Sequence, residues 1–64
     1  MYILIKTQNN IAEIIDFSQK EDKKYLISKL EKLKRKVQIK ETNYNDLFIC
    51  QDNDEEIIYQ ILEL

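Results

Sequence analysis

The chain lacks the residues on which most small catalytic sites depend. It contains no His, Gly, Pro or Trp, and Cys50 is its single cysteine. Without glycine, a Gly-rich phosphate-binding loop is excluded. Without histidine, Cys50 has no imidazole to activate it, and a zinc site would need an unusual set of ligands. These absences predict a non-enzymatic protein with no catalytic residues, no metal and no cofactor, in which Cys50 is a small buried apolar residue.

The length of the chain limits what it can bury. Its 64 residues are expected to form one domain, residues 1–64. A chain of this size buries only about 60% of the surface that its unfolded form exposes. Small domains usually need disulfides, a metal or a partner in addition. One Cys cannot form an internal disulfide, which leaves a tightly packed monomer or an association with other chains. Of these we expect a homo-oligomer or a complex.

The apolar segments are short. No stretch approaches the roughly 18 apolar residues that a membrane span needs, and the run Met1–Ile5 is too short for the core of a signal peptide. A single free cysteine also fits a reducing compartment. The sequence therefore predicts a cytoplasmic protein with no membrane partner.

Charge is divided sharply along the chain. Lys20–Lys40 carries nine Lys or Arg against three Asp or Glu, whereas Glu41–Leu64 carries seven Asp or Glu and no Lys or Arg. The net charge of the whole chain is only −2, which hides this division. The two segments are therefore expected to present surfaces of opposite sign.

Turns in a chain without Gly or Pro are expected at Asn and Asp, which tolerate left-handed backbone conformations. Two such clusters, Asn9-Asn10 and Asn43–Asp46, lie between apolar runs, and this pattern predicts a hairpin at each. Alternating apolar residues predict strands at Ile3–Ile5, Val37–Ile39 and Leu47–Ile49.

Two helices are predicted from capping signals. Ser18–Glu21 fits a capping box, and it is followed by an apolar stripe at Leu26, Leu30, Leu33 and Val37. Asp52–Glu55 is a second predicted cap. Its helix would bury the following face: Ile57, Ile58, Ile61 and Leu62.

These elements predict an α+β fold, a small ββαββα domain with two helices packed on one face of an antiparallel sheet. Ile11–Phe17 also fits a short helix, which would give βααββα instead. A shift of 34 residues aligns eight identical pairs in thirty, and this match favours two ββα repeats, 1–34 and 35–64.

Function is predicted to reside in contacts rather than in catalysis. The leading hypothesis is a small protein-binding module, of the size and composition seen in phage or mobile-element inhibitors and adaptors. Its partner would be another protein, met by an acidic surface and by tyrosines. The acidic candidates are Asp52, Asp54, Glu55, Glu56 and Glu63. The aromatic candidates are Tyr25, Tyr44 and Tyr59.

The alternative hypothesis is a nucleic-acid-binding protein that uses the basic helix. A cluster of cations on one helix contacts phosphates without sequence preference, and such binding weakens steeply with salt. The candidate residues are Lys29, Lys32, Lys34, Arg35 and Lys36. Because the chain as a whole is acidic, this hypothesis ranks second.

Overall fold

The computed structural model describes residues 1–19, 22–36 and 46–64, together with the backbone of residues 39–41. Five strands and one helix are assigned within these ranges. In chain order they are β1 (Tyr2–Gln8), β2 (Ile11–Ser18), α1 (Lys24–Lys34), β3 (Ile39–Glu41), β4 (Leu47–Asp52) and β5 (Glu55–Glu63).

The five strands form one antiparallel sheet in the order β2-β1-β5-β4-β3. The central strand, β5, pairs with β1 along its whole length, from Tyr2 opposite Glu63 to Gln8 opposite Ile57. On its other side it pairs with β4, from Leu47 opposite Gln60 to Asp52 opposite Glu55. The first and last strands of the chain are therefore neighbours, and β5 lies at the centre of the sheet.

The predicted second helix is wrong. Glu55–Glu63 is the central strand of the sheet, so neither ββαββα nor βααββα describes the chain. The helix predicted as an alternative for Ile11–Phe17 is also wrong, because that segment is strand β2. The antiparallel sheet and the first helix are present as predicted, with one helix rather than two on the sheet.

The error in β5 has a physical cause. Its apolar residues occur as two adjacent pairs, Ile57-Ile58 and Ile61-Leu62, a spacing that fits one face of a helix. In a strand, adjacent side chains point to opposite faces of the sheet, so the same pairs make both faces apolar. A central strand that is apolar on both sides cannot be recognised by alternation.

The supposed cap of the second helix is instead a tight turn. Asn53 and Asp54 have φ angles of 51° and 68°, and Asn9 and Asn10 have φ angles of 54° and 64°. Positive φ at both central residues defines the type I′ turn that two-residue hairpins favour. The predicted hairpin at Asn9-Asn10 is confirmed.

Asp54→Gly tests the turn against the cap that the sequence predicted. In a type I′ turn glycine adopts positive φ without steric cost, so we expect the free energy of unfolding to rise by about 0.5–1 kcal/mol. In the first turn of a helix the same change would lower it. Urea denaturation at fixed protein concentration measures the difference. The matched control is Gln51→Gly, within β4, which should lower the free energy of unfolding.

The helix begins later than the capping box predicts. Ser18 is buried at the end of β2, and α1 begins at Lys24. Lys23 occupies the N-cap position without a side-chain cap, and the carboxylate of Asp22 accepts a 2.8 Å hydrogen bond from the Lys24 amide. Ser18 is therefore not the cap. The observed N-cap, Lys23, lies five residues after the predicted one.

The core lies between α1 and one face of the sheet. The buried helix residues Leu26 and Leu30 are fully covered, which confirms that part of the predicted apolar stripe. Val37, the last residue of that stripe, lies outside the described residues. The core contains Leu4, Leu26, Leu30, Phe48, Cys50, Ile57, Tyr59 and Ile61. We call the side of the sheet that bears the six strand residues of this core the helix face.

The two ββα repeats predicted from the sequence would each contain a helix, but the second half has none among its described residues. Under the shift of 34 residues, Lys24–Leu30 in α1 corresponds to Ile58–Leu64, most of which lies in β5. The repeat in sequence stays a prediction, but its ββα pattern is wrong for the second half. Most of the other predicted turn, Asn43–Asp46, lies outside the described residues. Its flanking strands β3 and β4 pair antiparallel.

Candidate protein-binding face

The side of the sheet opposite α1 carries three adjacent rows of largely apolar side chains across its strands, and a fourth row, Gln51 and Glu56, borders them at the β4–β5 turn. Leu4 faces the helix, so strand alternation places its neighbours Ile3 and Ile5 on the other side. Register extends each row to the neighbouring strands. The described residues of the three rows, which we call the open face, are Phe17, Ile3 and Leu62, then Ile14, Ile5, Gln60 and Leu47, then Ala12, Thr7, Ile58 and Ile49.

The open face is apolar and uncharged. Eight of its eleven residues are large apolar side chains, and none of the eleven bears a charge. Ile14 and Phe17 are 60% and 51% exposed, and Leu62 is 37% exposed. Ile3 is buried, because Phe17 and Leu62 flank it on the two neighbouring strands.

Such a face is unusual for an antiparallel sheet that bears a helix on only one side. The uncovered side of such a sheet normally alternates to polar residues that face water. Within the described ranges, the only helix packs against the helix face, and no other element lies on the open face. Large contiguous apolar patches mark interaction sites on soluble proteins. The open face is therefore the best candidate for a functional surface.

A cluster of polar side chains joins α1 to the edge strand β2, beside the open face. The carboxylate of Asp16 accepts hydrogen bonds from Lys29 Nζ at 2.6 Å, Tyr25 Oη at 3.0 Å and the Phe17 amide at 2.8 Å. Asp16 follows a bulge in β2, where Ile15 has no partner in β1. The bonds from Lys29, the Phe17 amide and Tyr25 lower the pKa of Asp16 below its ordinary value of 3.8. The same ion pair raises the pKa of Lys29.

Asp16→Asn should change how stability depends on pH. Because folding lowers the pKa of Asp16, its contribution is complete above about pH 3.8 and is lost as the pH falls through the lower folded-state value. We expect the variant to be less stable than the parent at pH 7, and the difference to shrink below pH 3.8. Urea denaturation across pH measures this. Glu13→Gln, an exposed carboxylate of the same strand, is the control, and a difference that stays constant with pH would contradict the assignment.

The acidic candidates do not form one surface. Asp52, Asp54 and Glu56 are exposed around the β4–β5 turn. Glu55 is half-buried and accepts a hydrogen bond from the Gln8 side chain. Glu63 lies at the other end of the nine-residue β5, about 26 Å away along the strand.

The aromatic candidates do not share one surface either. Tyr59 lies in the core at 9% exposure, stacked on Phe48 with ring centroids 4.9 Å apart. Tyr25 is 56% exposed on α1 and donates to Asp16. Phe17 and Tyr25 line one shallow cleft at the sheet edge. Tyr44 lies outside the described residues.

Two of the five basic candidates already have acidic partners. Lys29 pairs with Asp16, and Lys34 pairs with Glu31 at 3.1 Å while its Nζ lies 5.9 Å from the centre of the Phe48 ring. Lys32, Arg35 and Lys36 are exposed towards and just beyond the end of α1. Cations at a helix C-terminus interact favourably with the helix dipole, and Lys32 lies in the last turn of α1.

The described residues hold no other site of obvious chemistry. The prediction that Cys50 is buried is confirmed, and burial raises the pKa of its thiol, with a smaller effect from Asp52. In the part of the chain that the structure describes, no three Cys, Asp or Glu side chains are grouped as a metal site would require. No helix there is long and apolar enough to cross a membrane.

Sequence reasoning missed the open face. Its signal was present as adjacent apolar residues within strands, such as Ile3–Ile5, Ile14-Ile15 and Phe48-Ile49. Once a segment is known to be a strand, such pairs place apolar residues on both faces. Comparison with protein-family models, with curated proteins and with solved structures gives no match, so the surface must be interpreted from its own chemistry.

Proposed function

We propose that this chain is a non-enzymatic protein-binding module and that the open face is its binding surface. The observation that carries the proposal is the three adjacent uncharged and largely apolar rows on the second side of the sheet, which the described elements leave uncovered. The absence of His and the burial of Cys50 support a role in contact rather than in catalysis. An inhibitor or adaptor role, and an origin in a phage or mobile element, stay predictions from size and composition.

The chemistry of the open face favours a protein over other ligands. Small molecules bind in concave pockets with a few convergent polar groups, whereas this surface is one side of a sheet. Nucleic acid requires cations to neutralise phosphates, and the described rows have none. Aliphatic and aromatic side chains match the apolar centre of a protein interface.

Nucleic-acid binding remains the second candidate, supported by the exposed Lys32, Arg35 and Lys36 near the end of α1. Three phosphate contacts would make the logarithm of the binding constant fall with the logarithm of salt concentration with a slope of about −2.7. A titration of arbitrary DNA at several salt concentrations measures this slope. We expect no saturable binding, and a slope near that value, lost on Arg35→Glu, would favour the second candidate.

Site-specific photo-crosslinking tests the proposed function directly. A benzophenone amino acid replaces Ile14 on the open face, in cells that naturally express the chain, and the control position is Lys32 on α1. Both positions are exposed, so neither replacement should disturb the core. We expect protein adducts from position 14 on irradiation and few from position 32. Absence of any protein adduct from position 14 would contradict the proposal.

A further inference from the structure

We infer that the occupant of the open face is a second copy of this chain, packed sheet against sheet as a two-fold symmetric dimer. The inference rests on the proposed function, because it names the partner of that same surface. Three features of the molecule carry it: the size of the face, its lack of charge, and the small core on its other side.

The size of the face fits a dimer interface. The fold measures 35 by 22 by 17 Å. The two longer dimensions are close to those of five strands about 4.8 Å apart, the longest of nine residues. One whole side of a sheet of that length and width approaches the ~800 Å² per partner that a standard specific interface covers, and the open face is the apolar centre of that side. A second copy offers a matching area without any further element.

The charge distribution suits self-association. In a two-fold dimer the same patch meets itself, so any charge in the patch would meet its like. The three rows avoid this at the centre of the face, because their polar members are Thr7 and Gln60, and Ala12 is small. Among the strand residues on this side of the sheet whose side chains the structure describes, the charged one is Glu56, in the bordering row at the turn end. Homodimer interfaces are also more apolar than interfaces between proteins that exist separately. A surface built for an oppositely charged partner would instead carry charge at its centre.

The small core leaves the single chain with little buried apolar surface, so a second packed layer would stabilise it. A 64-residue chain with one helix on one side of its sheet has little apolar surface to bury internally. Packing two open faces about 10 Å apart forms a sandwich and buries the half-exposed Ile5, Ile49 and Ile58 of both copies. The same residues that leave the single chain incomplete thus become the centre of a shared core.

Charge at the rim favours one orientation of the copies. Asp52, Asp54 and Glu56 are exposed at the β4–β5 turn, at the same end of the sheet as the β1–β2 turn. Superimposing these acidic ends would place like charges side by side. We therefore expect a two-fold axis that sets the two acidic ends at opposite ends of the sandwich.

Two lysine substitutions on one strand test the inference. Ile14 lies on the open face at 60% exposure, whereas Ile11 lies opposite Gln8 on the helix face at 69% exposure. Sedimentation equilibrium should give the parent chain twice its mass of 7.8 kDa. Ile14→Lys should weaken association by about tenfold or more, because it buries a charge in the interface. Ile11→Lys should leave association unchanged, and circular dichroism should show both variants folded.

The possible failures of this experiment are distinct. A chain that stays at 7.8 kDa, while position 14 crosslinks to a different protein, overturns the second copy but keeps the proposed function. A monomer with no protein adduct at position 14 overturns both. A dimer that Ile11→Lys weakens as much as Ile14→Lys overturns the placement of the interface on the open face.

Discussion

Phe48→Ala is expected to lower the free energy of unfolding by about 3–5 kcal/mol. The Phe48 ring is fully buried, stacked on Tyr59 and approached by Lys34. The change leaves a cavity in the only core that the described elements enclose. A chain of this length is expected to have a total stability of roughly 3–10 kcal/mol, so the variant should be partly or wholly unfolded. Urea denaturation at fixed protein concentration measures the loss.

The other phenylalanine of the chain provides a matched control. Phe17 is 51% exposed on the open face, so Phe17→Ala should cost the isolated fold much less than Phe48→Ala. Its effect should appear instead as weaker association and as a smaller dependence of the melting temperature on protein concentration. Equal losses of stability from the two substitutions at low protein concentration would contradict the assignment of the two faces.

Leu30→Ala is expected to cost about 2–5 kcal/mol, the range for a buried leucine. Leu30 is fully buried where α1 meets the helix face, so the change removes part of the contact that holds the helix on the sheet. The free energy of unfolding, from urea denaturation followed by circular dichroism, measures this cost.

The control for Leu30 lies on the same helix. Ser28 is exposed, and alanine is the better helix former, so Ser28→Ala should leave stability unchanged or raise it slightly. If Leu30→Ala were as mild as Ser28→Ala, α1 would not cover the sheet as described.

The sequence was sufficient where one face of an element is buried. The stripe at Leu26 and Leu30 predicted α1, and Asn9-Asn10 between apolar runs predicted the first hairpin. Both signals are local, since each depends on residues within two turns of helix or across one tight turn. Their structural meaning does not depend on what lies on the far side of the sheet.

The sequence failed where an element is apolar on both sides. Ile57-Ile58 and Ile61-Leu62 fit a helix face as well as a central strand, and Asp52–Glu55 supplied acidic residues that suit either a cap or a type I′ turn. Pairing with β1, which is more than forty residues away in the chain, makes this segment a strand rather than a helix. Local propensity cannot contain that information.

The candidate site was hidden for the same reason. The open face is assembled by register, which sets Ile3 beside Phe17 and Leu62 on the two neighbouring strands. The charged and tyrosine candidates were prominent in the sequence, but the fold disperses the acidic group and places Tyr59 in the core. Composition identified binding as the expected use of the chain, and topology was needed to propose a surface for it.

An isotope-filtered nuclear Overhauser experiment on an equimolar mixture of labelled and unlabelled chain tests the central claim most directly. It reports contacts between methyl groups of different copies. The account predicts intermolecular peaks among Ile14, Ile49 and Ile58 on the open face, and none involving Leu26 or Leu30 in the core. A sample with no intermolecular peaks at millimolar concentration, or with peaks confined to the helix side, would contradict it.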